Sequence, residues 1–297
     1  MMFAGSLVAI VTPMRSDGAL DLEAWARLLD FHLAGGTQGI VIGGTTGESP
    51  TLGEEELRAL TLAACDQVRG RLTVIAGAGT SSTEATVARV AWLSQLPIDG
   101  LLLVTPAYNR PPQEGMFRHF AAAAAAARKP ILLYNVPART AVDLLPGTVA
   151  RLAQVAGIVG IKEAVPQSAR VQELRACCPP DFVVLSGDDG AAREMIVAGA
   201  RGVISVTANV APRAMSDMVA AALRGDVGGA ARLDAALAAL HRELFVEANP
   251  IPTKWLLAQM GLIGAGIRLP LRPLAPEYHA GVRAAARAAG LLNEAAR

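Results

Sequence analysis

The stretch Ile158-Val159-Gly160-Ile161-Lys162 is a short apolar run that ends in a lysine. Such runs, rich in Val, Ile and Leu and too short for an ordinary helix, are typical of strands buried on both faces of a parallel sheet. Similar runs recur along the chain at spacings of roughly 20 to 35 residues. The eight predicted strands are residues 7–11, 39–42, 73–76, 100–104, 131–134, 158–161, 182–185 and 203–206.

Stretches with helical periodicity lie between these runs, among them residues 22–33, 54–68, 83–96, 113–127 and 191–198. Ser82 and the pair Asp188-Asp189 are predicted to cap the helices that follow them. Eight alternations of strand and helix favour a closed (β/α)₈ TIM barrel over an open doubly wound sheet. After Gly225 only helical patterns continue. We therefore predict a catalytic barrel over residues 1–225 and a C-terminal helical appendage over 226–297.

Composition narrows the possible partners and the compartment. The chain has 297 residues, a mean hydropathy of +0.37 and a net charge of +1. No uninterrupted apolar stretch of about 18 residues occurs, so no membrane span is expected. Residues 1–14 are apolar but lack a basic region and lead straight into a turn at residues 16–18, so no signal peptide is expected. No long block of one charge sign favours a nucleic-acid partner. The three cysteines form no disulfide framework, which fits a reducing cytoplasm, and the four scattered histidines predict no metal site.

Lys162 is the sharpest clue to chemistry. The active site of a (β/α)₈ barrel lies at the carboxyl ends of its strands, and of the three lysines only Lys162 ends a predicted strand. Lys129 precedes the fifth strand, and Lys254 begins a helix of the appendage. A lysine at a strand end is often a solvated rim residue. The alternative is an amine nucleophile, which has to be deprotonated before it attacks and which burial in the barrel would favour.

Other polar residues follow the predicted strands. Thr45 and Thr46 lie in a glycine-rich turn before a helix, which is either a plain turn or a site for a carboxylate. Tyr108 follows the fourth predicted strand, and Tyr134 ends the fifth. Each is either part of the site or, as is common, a buried tyrosine whose hydroxyl is hydrogen-bonded. Arg139 follows in the next loop, and taken alone it would be interpreted as a surface arginine.

Several motifs resemble the dihydrodipicolinate synthase family, within the superfamily that also contains the N-acetylneuraminate lyases. They are residues 44–48 (GTTGE), 105–110 (TPAYNR), 134–140 (YNVPART), 160–163 (GIKE), 185–189 (LSGDD), 202–209 (GVISVTAN) and 247–254 (EANPIPTK). The likeness runs along the whole chain, with the motifs in the same order. It implies a TIM-barrel lyase that condenses pyruvate with L-aspartate 4-semialdehyde in diaminopimelate and lysine biosynthesis.

The resemblance also implies the catalytic roles. Lys162 would form an imine with pyruvate, so no cofactor is expected. Tyr134 would act as general acid and base beside the imine. Thr45 and Tyr108 would complete a hydroxyl relay to solvent, with Tyr108 reaching in from the neighbouring subunit. This exchange implies a homotetramer built from tight dimers.

Four further residues would bind the substrates. Amides around Thr45 and Thr46 would hold the pyruvate carboxylate, and Arg139 would hold the carboxylate of the semialdehyde. Backbone carbonyls of Gly187 and Ile204 would line the pocket. Because the related N-acetylneuraminate lyases lack an arginine in this loop, Arg139 favours a small carboxylated aldehyde. The alternative is another pyruvate-dependent aldolase or dehydratase acting on a sugar-acid-like substrate.

Two other classes compete with this interpretation. A barrel kept as a binding or structural protein would be expected to have lost Lys162, Tyr134 or Thr45, and all three are present. A metal-dependent aldolase would need histidines beside acidic residues at the strand ends, and none accompanies Glu163 or Asp188. We expect Asp188 to cap a helix and Glu163 to support the reactive residues from behind.

The chain departs from many bacterial relatives in one respect. Those relatives bind L-lysine as an inhibitor at the subunit interface through histidines, an asparagine, a glutamate and a tyrosine. The corresponding positions here are Glu54, Leu57, Ser81, Ala85 and Ala107. Most of the binding groups are therefore replaced, and we expect weak or absent inhibition by L-lysine unless other polar residues rebuild the site.

Overall fold

Eight parallel strands close into a barrel in the computed structural model, which describes residues 3–292. Each strand pairs with the next in sequence, and the last pairs with the first. The predicted (β/α)₈ fold is confirmed. The strands are β1 (Gly5–Ala9), β2 (Gly39–Ile42), β3 (Thr73–Gly77), β4 (Gly100–Val104), β5 (Ile131–Asn135), β6 (Ile158–Glu163), β7 (Val183–Ser186) and β8 (Gly202–Ser205).

The predicted strand bounds match at β2 and β4 and differ most at β1. The apolarity of residues 7–11 predicts a strand over all five, whereas β1 ends at Ala9. Ile10 and Val11 are buried all the same. The Val11 N–H donates to Asn209 Oδ1 at 3.0 Å instead of to a strand. Burial by the loops above the barrel therefore prolongs the apolar run beyond the strand.

Residues 3–292 contain twelve α-helices, which surround the barrel or follow it. They are α1 (Leu22–Gly35), α2 (Glu54–Val68), α3 (Thr83–Leu93), α4 (Gln113–Ala126), α5 (Pro137–Thr140), α6 (Pro146–Leu152), α7 (Ser168–Cys177), α8 (Ala192–Val197), α9 (Pro212–Leu223), α10 (Val227–Glu243), α11 (Ile251–Gln259) and α12 (Pro276–Ala288). Short 3₁₀ helices cover Ser49–Thr51 and Thr207–Asn209. None of these helices is long and apolar enough to cross a membrane.

The predicted helix caps differ in outcome. Ser82 accepts a hydrogen bond from Ala85 N at the start of α3, as expected. Asp188 Oδ1 accepts from Ala191 N at 2.9 Å in the turn before α8, but the N-cap position of α8 is Ala191, so Asp188 holds that turn and does not cap the helix. The prediction was also wrong for Asp189, whose Oδ2 accepts from the backbone N–H groups of Val206 and Thr207, 2.8 and 3.0 Å away. Asp189 therefore links the end of β7 to the end of β8.

The apolar core has two parts. Alternate residues of the strands fill the barrel interior, among them Leu7, Val41, Leu132 and Leu185. The remaining strand residues face the helices and form a larger layer between sheet and helices. This arrangement is the one expected for a barrel whose inside is packed with side chains, with the site above it at one end.

The C-terminal helices pack on the barrel's last helices: α10 lies against α8 and α9, and α12 against α10. The predicted division between residues 225 and 226 falls between α9 and α10, where Asp226 caps α10 by accepting from Gly229 N. The segment between α10 and α11 passes across the carboxyl ends of the strands. It thereby supplies one wall of the cavity described next.

Candidate active site

A cavity of about 600 Å³ opens at the carboxyl ends of the strands. Six of the residues predicted from the sequence line it, namely Thr45, Thr46, Tyr134, Arg139, Lys162 and Gly187. A larger hollow of about 880 Å³ lies at the amino-terminal side of β2 and β3, beside Gln38 and Thr73, and no lysine lines it. The convergence of reactive groups, rather than size, therefore identifies the candidate site.

Lys162 and Tyr134 lie side by side on neighbouring strands. They are register partners of β6 and β5, and Lys162 Nζ lies 4.3 Å from the centroid of the Tyr134 ring. Lys162 is only 5% exposed, so it is not a solvated rim residue. No carboxylate within residues 3–292 forms an ion pair with its amine. No ion pair therefore hinders an attack of this amine on a carbonyl carbon.

Gly187 makes room for the Lys162 side chain. A Cβ atom at this position would lie 3.0 Å from Lys162 Cε, 3.1 Å from Lys162 Cγ and 2.9 Å from Ala164 Cβ. The Gly187 N–H donates to Glu163 O at 2.7 Å, which fixes the backbone next to the lysine. Gly187, at the end of β7, therefore places only backbone atoms beside the Lys162 side chain.

The turn after β2 holds the two threonines. The N–H groups of Gly47 and Glu48 donate to the carbonyls of Gly44 and Thr45, each at 3.1 Å. The buried Thr46 Oγ1 accepts a hydrogen bond from Asn249 Nδ2 at 2.9 Å. Because that bond uses a lone pair of the hydroxyl oxygen, the Thr46 O–H remains free to donate to an anion in the cavity.

Arg139 lies in α5, above the end of β5, and its side chain is exposed towards the cavity. Its Nη2 donates to Asn249 O at 3.4 Å, a long bond that leaves most of the guanidinium donors free. The donors of this fork suit a two-pronged bond to a carboxylate.

Behind the cavity wall, a polar cluster secures the loop that carries Arg139. Asn135 Oδ1 accepts from Leu144 N, and Asn135 Nδ2 donates to Asp143 at 2.7 Å and to both oxygens of Glu163 at 3.1 Å. Arg170 bonds Asp143 with two nitrogens, at 2.9 and 2.7 Å. The cluster ties the loop after β5 to β6 and α7.

Glu163 is fully buried in this cluster, directly after Lys162 in the chain. Burial raises the pKa of its carboxyl group to about 7. Hydrogen bonds from Val165 N and Asn135, and the Arg170 guanidinium 3.6 Å away, act in the opposite direction without outweighing burial. The expected position of Glu163 behind the reactive residues is where the structure places it.

Tyr108 and Ile204 do not line this cavity. Tyr108 is 94% exposed and has a φ of 75°, a rare conformation for a tyrosine. Bonds on both sides hold this turn, from Ser81 Oγ to Ala107 O (2.9 Å) and from Asn109 Nδ2 to Ser81 O (3.1 Å). Ile204 is 1% exposed and packs deeper in the barrel interior, in the same apolar cluster as Tyr134.

Sequence reasoning missed several residues of the cavity wall. Phe245, Val246 and Asn249 come from the segment after α10. Asn249 belongs to the 247–254 motif, which carried the family resemblance without any assigned role. The polar residues of that motif are the sequence feature that could have pointed to this part of the cavity wall.

A buried lysine beside a tyrosine, at the strand ends of a (β/α)₈ barrel, defines a class I lyase of the aldolase type, which works through an imine. The model of the dihydrodipicolinate synthetase family matches residues 2–289, so the chain belongs to that family. It is 52% identical to the 4-hydroxy-tetrahydrodipicolinate synthase of Methylococcus capsulatus over 291 residues, covering 98% of this chain and 100% of the relative.

Solved structures agree with this assignment. The pyruvate complex of the dihydrodipicolinate synthase from Acinetobacter baumannii superimposes with a TM-score of 0.96 and 45% identity, covering 97% of this chain and 99% of the other. The enzyme from Cyanidioschyzon merolae with lysine bound gives a TM-score of 0.95 and 35% identity, covering 98% and 99%. Family membership and fold therefore rest on full-length similarity.

Proposed function

We propose that this enzyme condenses pyruvate with L-aspartate 4-semialdehyde, the reaction of the 4-hydroxy-tetrahydrodipicolinate synthases, in diaminopimelate and lysine biosynthesis. The observation that carries the proposal is the buried amine of Lys162, 4.3 Å from the Tyr134 ring, in a cavity that Arg139 also lines. Relatives about half identical over the full length carry the name of this activity. They favour it over an aldolase or dehydratase acting on sugar-acid-like substrates.

The first step joins pyruvate to the enzyme. Lys162 Nζ attacks the keto carbon, and the tetrahedral adduct loses water to leave an imine. The Tyr134 hydroxyl lies on the neighbouring strand, where it serves as the acid that protonates the departing oxygen and as the base that accepts protons. The Thr46 hydroxyl and the amides of the turn after β2 hold the pyruvate carboxylate.

The second step forms the new carbon–carbon bond. The imine withdraws electrons, so the pyruvate methyl group loses a proton and an enamine forms. The enamine carbon attacks the aldehyde carbon of the semialdehyde, whose carboxylate is held by Arg139. The substrate's own amine then attacks the imine carbon. The ring closes, the bond to Lys162 breaks, and the free amine returns.

The remaining assignments concern proton transfer and assembly. In our proposal Thr45 passes protons between Tyr134 and the Tyr108 of a neighbouring subunit, in a homotetramer built from tight dimers. The exposed, conformationally strained Tyr108 supports a role outside its own subunit. The backbone carbonyl of Gly187 borders the bound substrates, and we propose that the carbonyl of Ile204 faces them from the barrel interior, although Ile204 does not line the cavity.

The imine itself is the electron sink, so the reaction needs no cofactor. The enzyme works in the cytoplasm, which fits its free, unpaired cysteines.

The test is turnover of pyruvate with L-aspartate 4-semialdehyde, followed through the NADPH-dependent reductase that consumes the product. We expect NADPH oxidation that requires both substrates. If pyruvate is still trapped on the enzyme by borohydride but no turnover occurs, the imine chemistry stands. The proposed aldehyde is then wrong, and sugar-acid aldehydes become the candidates.

A further inference from the structure

A buried ion pair joins the pyruvate-binding turn to the C-terminal helices. Glu48 closes the turn after β2, and its side chain is wholly buried. Its Oε1 lies 2.5 Å from Nζ of Lys254, in α11, whose side chain is only 4% exposed. The two residues are 206 positions apart in the chain. They are the only oppositely charged pair within residues 3–292 in which both side chains are this deeply buried.

Other bonds converge on the same residue. Glu48 Oε2 accepts from the backbone N–H of Arg268 at 3.2 Å, and Glu48 O accepts from Thr51 N and Thr51 Oγ1 at 2.9 and 3.0 Å. Arg268 also donates to Thr51 O and pairs with Glu56 at the start of α2. Every polar group of Glu48 is therefore held in place, much of it by the segment that follows α11.

The backbone of Glu48 shows what this attachment maintains. Its φ is 58° and its ψ 38°, a left-handed conformation that non-glycine residues adopt rarely and at a cost in free energy. Its N–H donates to Thr45 O, so the same conformation shapes the turn that presents Thr45 and Thr46. Asn249, five residues before Lys254, bonds Thr46 directly.

A buried ion pair contributes little net stability because desolvation offsets most of the attraction, whereas removing one partner leaves an uncompensated charge. Stability alone is therefore a weak reason for this pair. A better reason is that the pair fixes the geometry of the turn, since a charge-assisted bond holds the Glu48 carboxylate in one place and direction.

We propose that Glu48 and Lys254 are positioning residues for the substrate keto acid. Their ion pair fixes the turn so that the Thr46 hydroxyl and the neighbouring amides face the pyruvate carboxylate. The C-terminal helices thereby set the affinity for pyruvate without touching it. This inference rests on the proposed binding of pyruvate at the turn, and it does not depend on the identity of the second substrate.

The test compares Glu48→Gln, Lys254→Met and the double variant E48Q/K254M. Two quantities are measured: the melting temperature, and the pyruvate concentration that gives half-maximal borohydride trapping. Each single variant is expected to lower the melting temperature, because it leaves a buried charge unpaired. The double variant removes both charges and should recover most of that loss. Its half-saturating pyruvate concentration should still be about tenfold higher than in the wild type, the effect of one lost charge-assisted bond.

Asp234→Asn is the matched control. Asp234 pairs with Arg193 at 3.0 Å between α10 and α8, away from the turn, so its loss should lower stability without changing the pyruvate dependence. In the double variant, a rise of less than about threefold in the half-saturating concentration would overturn the proposal, and any larger rise supports it. A double variant that does not fold would also overturn it, since the pair would then serve the fold itself. Failure of the wild type to trap pyruvate would instead contradict the proposed function.

Discussion

Lys162 Nζ lies 4.3 Å from the centre of the Tyr134 ring, and the two residues are direct register partners on β6 and β5. Parallel pairing of the two strand ends is therefore sufficient to bring an amine and a phenol together above the barrel interior. Gly187, at the end of β7, leaves the space that the lysine side chain occupies. The reactive pair is thus a property of three adjacent strands rather than of mobile loops.

Replacing Tyr134 by Phe keeps the ring beside Lys162 and removes only the hydroxyl. We expect kcat to fall by about 10²- to 10⁴-fold, the usual contribution of a general acid or base, while pyruvate still binds. Steady-state kinetics with both substrates measure the effect. Tyr278→Phe, in α12 and outside the cavity, is the matched control and should behave as the wild type. Unchanged kcat in Tyr134→Phe would contradict the role given to its hydroxyl.

Arg139→Ala should raise KM for the semialdehyde by about 10- to 100-fold, because a charge-assisted bond to its carboxylate is lost. Arg139→Lys should recover only part of the effect, since an ammonium cannot make the two-pronged bond. Pyruvate trapping by borohydride should be unaffected in both. Arg118→Ala, an exposed arginine of α4, serves as control. If pyruvate trapping weakens as much as the semialdehyde KM rises, Arg139 does not distinguish the two substrates.

Glu163→Gln should change how stability depends on pH. Burial raises the pKa of Glu163 from 4.5 to about 7. Between these values the folded protein keeps a proton that the unfolded chain has released, so the free energy of unfolding falls as pH rises. The amide introduced by Glu163→Gln cannot ionise, so the variant should gain up to about 3 kcal/mol relative to the wild type as pH rises from 4.5 to 7.

Urea denaturation of both proteins at about pH 5, 6, 7 and 8 measures this difference. The comparison is necessary because buried His32, whose pKa burial lowers to about 3, acts in the opposite direction. The unfolded chain takes up a proton at this histidine below pH 6.5, so the free energy of unfolding falls as pH drops from 6.5 towards 3. This effect is the same in both proteins and cancels. A difference that does not vary with pH would show that Glu163 is ionised throughout.

L-Lysine should bind weakly or not at all at the subunit interface. Leu57 packs against Gly43 in the core, and Ser81 Oγ already donates to Ala107 O at 2.9 Å. Leu57 therefore offers no polar group, Ser81 has already used its single donor, and Ala85 and Ala107 offer only methyl groups. Calorimetric titration, together with activity assays at rising L-lysine concentration, measures the response. Tight binding would mean that other residues rebuild the site.

The fold was predictable because parallel strands buried on both faces keep an almost continuous apolar composition, as residues 39–42 and 100–104 show. The placement of Lys162 and Tyr134 was also predictable, since every strand end of a barrel points to the same face, whereas the binding roles of Thr46 and Arg139 were implied by the family resemblance. The end of β1 was not, because Ile10 and Val11 are buried by loops rather than by strand pairing.

The contacts of the C-terminal segment were beyond sequence patterns. Lys254 was assigned to the start of a helix in the appendage, and nothing local reveals that it meets Glu48 or that Asn249 meets Thr46. Both contacts join residues more than 200 positions apart and exist only once the chain has closed around the barrel. Tyr108 is the reverse case. It follows a strand, so its position in the sequence suggests the cavity, yet a left-handed turn directs it outward.

The most direct test of the account is to incubate the enzyme with pyruvate, reduce it with borohydride and map the modified peptide by mass spectrometry. The chain has three lysines, so Lys129 and Lys254 serve as internal controls. We predict one pyruvate-derived adduct, on Lys162, and none in Lys162→Ala. An adduct on Lys129 or Lys254, or one that persists in Lys162→Ala, would contradict the assignment of Lys162 as the nucleophile.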